Sequence, residues 1–190
     1  MYRITFALKD MLFALVFLVP IFLIYAKFVF GSVKRTLPYF AFAAYLAAVY
    51  ALTGLPDILY LRFDPSCNFI PFVGMIDSPA EALLNVLLFV PLGFFLPVLC
   101  KRYRSFPRAL LFGVCVTAGI ELLQLFTFRA TDVDDLLTNV AGTVIGYFLA
   151  KAVTRGFSRL VVAETSAKYV YLALLTAFFV MFLLAPLPQL

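Results

Sequence analysis

In the run "ELLQLFTFRATDVDDLLTNVAG", residues 121–142, Glu121, Gln124, Arg129, Asp132, Asp134, Asp135 and Asn139 gather in a chain that is 13% charged. Their types allow a short menu of chemistry. Glu121, or one of the aspartates, could serve as a general base. Glu121 could also handle a proton or meet a cationic ligand group. Asp132, Asp134 and Asp135 could hold a hard divalent ion through oxygens, as weak metal candidates. Arg129 could meet an anionic headgroup, while Gln124, Asn139 and an earlier amide, Asn85, read its polar atoms.

Other chemistry is excluded by residue type. The chain has no histidine. That removes serine–histidine proteolysis, the H-E-x-x-H metalloprotease, phosphohistidine intermediates and histidine-based zinc sites. There is no glycine-rich phosphate loop and no heptad pattern. No cofactor is expected, and no established catalytic motif stands out.

The elements that must position these residues follow from hydropathy. The 190 residues are 65% hydrophobic, with a mean hydropathy of +1.06. A soluble domain of this length has too little interior to hide so much apolar surface. The net charge of +5 therefore speaks to orientation in a bilayer and not to nucleic acid. Apolar segments at 11–30, 38–59, 81–99, 108–128, 133–150 and 168–184 each approach the roughly 20 residues that cross a hydrocarbon core. In lipid the backbone must satisfy its own polar groups, so the segments are helices. The expected fold is an all-α integral membrane bundle of about six transmembrane helices. The first segment is longer than a signal-peptide core and ends at a poor cleavage site, so it reads as a retained helix, with a kink at Pro20.

Helical spacing sorts the polar residues into stripes. Gly113, Thr117, Glu121, Gln124 and Phe128 form one. Asp135, Asn139, Gly142 and Gly146 form a second, Glu81 and Asn85 a third, and Tyr50, Thr53 and Asp57 a fourth. At about 1.5 Å per residue, Asn85 lies about 6 Å in from Glu81, Asn139 about 9 Å in from Val133, and Glu121 about 12 Å in from Arg129. Stripes at matching depth can meet in one polar pocket.

Structural roles compete with each of these. Asp132 and Thr131 are good N-caps, and acids in a first turn complement the helix dipole. Asn85 and Asn139 could simply bond between helices, and Gly142 with Gly146 makes a small-residue face for close packing. A charged carboxyl near a helix centre costs about 2.5–3.5 kcal/mol. Glu121 must therefore be protonated, paired or in contact with water. On spacing, Asp135 is aimed down the polar stripe and Asp134 points elsewhere. The loop "NFIPFVGMI" is too short to span. It lies in the interface with Phe69 and Phe72 among headgroups, or dips back in, or roofs the pocket.

Lys and Arg set the orientation. Lys27, Lys34, Arg35, Lys101, Arg102, Arg104, Arg108, Lys151, Arg155, Arg159 and Lys168 fall on one side. Arg3, Lys9, Arg62 and Arg129 fall on the other. The first side is expected to be cytoplasmic, with the polar motifs and both termini extracytoplasmic. The acids sort oppositely, with Glu164 inside. Cys67, Cys100 and Cys115 lie at different depths and are expected to be unpaired thiols.

Four short blocks carry a resemblance: "NFIPF" at 68–72, "NVLLFVPLGFFLP" at 85–97, "ELLQLF" at 121–126 and "RATDVDDLLTNVAGTVIGY" at 129–147. In this order and spacing they resemble the signature blocks of the VanZ-like membrane proteins, covering roughly residues 65–150. The resemblance implies that Asn68, Pro71, Asn85, Pro91, Gly93, Glu121, Gln124, Asp132, Asp135, Asn139 and Gly142 are motif positions. It implies a multi-pass protein of the bacterial cytoplasmic membrane, linked to the cell envelope and to teicoplanin resistance, but supplies no reaction. Residues 1–38 look like an additional helix before a bundle over 39–190. The leading expectation is a polar pocket, open to the outer leaflet, that engages membrane lipid or a lipid-linked cell-wall precursor. Asn68, Asn85, Glu121, Gln124, Arg129, Asp132, Asp135 and Asn139 are its binding candidates. An enzyme modifying such a lipid through a carboxylate base, a lipid flippase and a non-catalytic envelope scaffold stand as alternatives.

Overall fold

The computed structural model describes residues 2–59, 61–64, 66–127, 131–156 and 166–184. These residues are predominantly helical. Their contacts separate into two compact units, residues 62–167 and the remainder of the chain.

The first unit holds α1 (Tyr2–Phe28), α2 (Val33–Thr53) and α7 (Lys168–Leu183). Helix α1 runs unbroken through Pro20. The three helices pack on apolar and aromatic side chains. Phe30 stacks on Tyr39 with centroids 5.1 Å apart and meets Tyr169 at 4.6 Å. Tyr25 and Thr176 share a hydrogen bond of 3.1 Å between α1 and α7. Helix α2 begins and ends earlier than the expected segment 38–59. Gly54 takes the left-handed conformation, with φ 65°, and its N–H bonds back to the Tyr50 carbonyl. Glycine alone adopts this geometry without penalty, so it ends the helix. The Tyr50 hydroxyl then donates to the Pro56 carbonyl at 2.5 Å. Asp57 is therefore not on a stripe with Tyr50 and Thr53. Its carboxylate turns to its own loop and accepts the Leu59 N–H at 2.8 Å.

The second unit holds β1 (Cys67–Asn68), α3 (Val73–Asp77), α4 (Pro79–Leu99), a 3-10 turn at Lys101–Arg104, α5 (Phe106–Gln124), β2 (Thr131–Asp132) and α6 (Val133–Gly156). Proline at the starts of α4 and α5 suits a first turn that needs no N–H partner. Helices α1, α2, α4, α5 and α6 are each long and apolar enough to cross a membrane, and α7 is a shorter apolar helix. The protein is a multi-pass membrane protein.

Helices α4 and α6 make the main seam of this unit. A Cβ on Gly142 would overlap the Val86 carbonyl oxygen, and one on Gly146 the Val90 carbonyl oxygen. From the other side, a Cβ on Gly93 would overlap the Thr143 carbonyl oxygen. The partners advance together, 86 with 142 and 90 with 146, so α4 and α6 run parallel. Helix α5 returns between them in sequence and lies antiparallel to α6. Gly113 faces the Thr143 side chain, and Thr117 bonds Asn139 at 3.0 Å. Small residues permit such close approach where lipid offers no hydrophobic drive to associate.

Candidate functional site

The polar residues converge on the N-terminal end of α6. β1 and β2 pair in parallel there, Cys67 with Thr131 and Asn68 with Asp132. This two-residue ladder seats the loop after β1 on the first turn of α6. Asp132 caps that helix. One carboxylate oxygen accepts the Asp134 N–H at 2.9 Å, and the other accepts Asn68 Nδ2 at 3.2 Å. The Asp132 N–H in turn donates to Glu121 Oε2 at 3.1 Å, tying α5 to the same turn. The Thr131 hydroxyl donates to the Glu121 carbonyl at 3.0 Å.

Asp134 is 4% exposed. Its two oxygens accept the N–H groups of Phe72, at 2.6 Å, and Met75, at 3.1 Å. Phe72 stands at the N-cap of α3 without a side-chain cap of its own. Asp134 supplies the missing acceptor from another element. Phe72 also has φ 70° and is the one non-glycine residue with positive φ among the described residues. For a bulky side chain that conformation costs about 1–3 kcal/mol, and the surroundings must hold it. Asp135, one residue on, turns to α4 and accepts Asn85 Nδ2 at 2.6 Å.

Deeper along α5 and α6, Thr117, Glu121, Gln124 and Asn139 are 0%, 5%, 2% and 3% exposed. Asn139 Nδ2 donates to Thr117 Oγ1 at 3.0 Å. Its Oδ1 is buried and accepts no hydrogen bond from the described residues. Turning the amide over exchanges oxygen for nitrogen and leaves one of them unsatisfied. The Thr143 hydroxyl, one turn below, bonds the Asn139 backbone carbonyl at 3.0 Å and does not reach the amide.

These α4–α6 elements fall within a recognised sequence family. The family model VanZ/LLP1 matches residues 40–155, which take in part of α2 and every element from β1 to nearly the end of α6. The chain belongs to the VanZ/LLP1 family. An 82-residue stretch is 32% identical to Protein VanZ of Enterococcus faecium, covering 43% of this chain and 50% of that protein. The alignment thus spans about half the length of this curated relative. No solved structure matches the chain.

Within this VanZ-family chain, Asn68, Asn85, Glu121, Asp132 and Asp135 are joined around the α6 N-terminus by the hydrogen bonds above. Asn139 and Gln124 lie buried beneath. Arg129 and Phe128 lie outside the described residues, as does Glu164. The three weak divalent-ion candidates are directed to different partners. Asp132, Asp134 and Asp135 turn their carboxylates to Asn68, α3 and Asn85 respectively. Among the described residues no group of three His, Cys, Asp or Glu side chains is disposed to hold a metal. Asp134 points away from the polar stripe, as its spacing has it, and grips the loop after β1. The signal that could have found it was a short helix opening on Phe72, with no capping side chain nearby in sequence. Cys67, Cys100 and Cys115 form no disulfide among the described residues.

One consequence of the Asn85–Asp135 contact is testable. Asn85→Leu removes that donor from the Asp135 carboxylate and is expected to lose about 2 kcal/mol. Thermal unfolding in detergent measures this. An unchanged midpoint would show that the pair carries no stability.

Proposed function

We propose that this VanZ-family protein engages the headgroup of an envelope lipid, or of a lipid-linked cell-wall precursor, at the polar cluster of α5 and α6. The observation that carries the reading is Asn139. A buried amide oxygen without a donor costs about 1–3 kcal/mol, and such atoms in native structures call for an explanation beyond packing. A headgroup hydroxyl or N–H reaching Oδ1 recovers that cost on binding. Glu121, on the same face of α5 as Thr117, supplies a second acceptor. Asn85, Gln124, Asn68, Asp132 and Asp135 shape the polar surroundings, with Arg129 meeting anionic charge.

The site opens outward in this proposal. Lys101, Arg102, Arg104 and Arg108 stand at the opposite ends of α4 and α5 from Asp132, Asp134 and Asp135. Basic ends favour the cytoplasmic face, which puts the α6 N-terminus on the extracytoplasmic side of the cytoplasmic membrane. Sequestering a surface precursor there would lower glycopeptide binding, in keeping with the teicoplanin link of the family.

The test uses the full chain in nanodiscs and a fluorescent polyprenyl-diphosphate glycan as probe. Glu121→Ala and Asn139→Ala are each expected to weaken binding at least about tenfold, which is 1.4 kcal/mol. Asn139→Ala should change the unfolding midpoint little, because it removes an unsatisfied atom with the bond to Thr117. Equal binding by wild type and both variants would sink the proposal. Loss of stability without loss of binding would assign Asn139 to packing.

A further inference from the structure

Between β1 and α4 the chain turns its apolar and polar groups to opposite sides. Phe69, Ile70, Phe72, Val73 and Ile76 are 76%, 65%, 58%, 44% and 77% exposed. Its polar groups face α6, with Asn68 on Asp132 and the Phe72 and Met75 N–H groups on Asp134. An outward apolar patch of this density marks an interaction surface. What adjoins it identifies the occupant. Helix α3 ends at Asp77 and α4, a membrane-spanning helix, begins at Pro79. The first turns of α4 expose Leu83, Leu84 and Leu87 at 58%, 63% and 55%. The apolar face therefore passes along the chain directly into a lipid-facing one. A segment this short cannot cross the bilayer, and aromatic rings are favoured at the level of the headgroups.

We infer that residues 68–77 form a plate seated shallowly in the lipid leaflet at the N-terminal end of α4 and α6, and that Asp134 is the clamp that fixes its height. The occupant is the leaflet itself, not the single headgroup proposed for Asn139, so either idea can fail without the other. The clamp follows from the backbone. The plate bends through the left-handed Phe72, and both N–H groups flanking that bend end on one carboxylate of α6. Gly74 lets it sit close, since a Cβ there would lie 3.2 Å from Asp134 Oδ2 and 3.3 Å from Asp132 Oδ2. With the clamp gone, the two-residue ladder and the Asn68 bond to Asp132 remain to hold the plate.

The chain has no tryptophan, so one introduced residue gives an unambiguous fluorescence signal. Ile76→Trp reports the plate. Ile145→Trp, at a position on α6 that is 51% exposed, reports the bilayer interior. Both are reconstituted in phosphatidylcholine vesicles brominated either near the headgroup or near the chain ends. Ile76→Trp should be quenched at least about twofold more by the shallow bromines, and Ile145→Trp more by the deep ones. Asp134→Asn should cut the shallow quenching at position 76 by about half and leave position 145 unchanged. If quenching at 145 shows that Asp134→Asn has failed to fold, Gly74→Val serves instead. It crowds the same carboxylate without removing it and should give the same loss. Three results would overturn the inference. They are no quenching at 76 by either lipid (a face covered by water, a second copy or another protein), stronger quenching there by the deep bromines, or no response to either clamp variant.

Discussion

Gly146→Ala is expected to lower the unfolding midpoint by several degrees, a loss of about 1–3 kcal/mol or more. The added methyl would lie 2.8 Å from the Val90 carbonyl carbon and 2.9 Å from the Phe94 nitrogen. Both neighbours are backbone, so no side-chain rotation relieves the contact and the two helices must separate. Gly93→Ala meets the Thr143 backbone from the opposite helix and should cost a similar amount. The double variant should cost less than the sum, because one separation of the seam relieves both overlaps. Gly119→Ala is the control. A Cβ there meets nothing within 4 Å, and helix propensity alone favours it by about 1 kcal/mol. The measurement is the temperature at which the buried Cys100 becomes reactive to a thiol dye, with the exposed Cys67 and Cys115 changed to serine. Equal midpoints for Gly146→Ala and Gly119→Ala would show that α4 and α6 do not meet through this seam.

Asp134→Ala is expected to be as damaging, by a different route. It strips the acceptor from two N–H groups at once. Hydrogen bonds to a charged acceptor are each worth about 1.5–3 kcal/mol, so the loss should be about 3 kcal/mol. Asp134→Asn keeps one acceptor oxygen and should lose about half as much. The strained bend gives a second-site check. Phe72→Gly removes the penalty of positive φ and should return about 1 kcal/mol to the Asp134→Ala protein. The Phe72 ring, being mostly outward, contributes little to the interior. Thermal unfolding of the two singles and the double measures the coupling. If Phe72→Gly changes stability by the same amount with and without Asp134, the carboxylate does not hold the bend.

The helices were legible because lipid leaves the backbone no alternative, and hydropathy reports lipid directly. The ends were less so. Gly54 stops α2 before Asp57, and periodicity cannot see a left-handed residue. The stripe of Asp135, Asn139, Gly142 and Gly146 was readable from spacing alone, as was the buried face of Gly113, Thr117, Glu121 and Gln124. The identity of their partners was not. That Gly142 and Gly146 receive α4 and not α5 depends on which carbonyls come close, a property of the register between distant segments. The partners of Asp134 were hidden for the same reason. Asp134 lies about 100° around the helix from Asp135, off the polar stripe, and its partners sit some sixty residues earlier in a loop of unremarkable hydropathy. Spacing already set the three acids apart in direction, but not in partner. They differ in the fold because each meets a different donor.

The parallel pairing of α4 and α6 also bears on how the chain is made. Parallel neighbours cannot be adjacent spans, so α5 must be threaded back across the bilayer before α6 can arrive. Until then the carbonyls of Val86 and Val90 and the bare face of Gly93 have no protein against them. A nascent chain released after α5 would present that groove to lipid or to a membrane chaperone. The order of synthesis thus sets a minimum length, through Tyr147 of α6, before the seam can close.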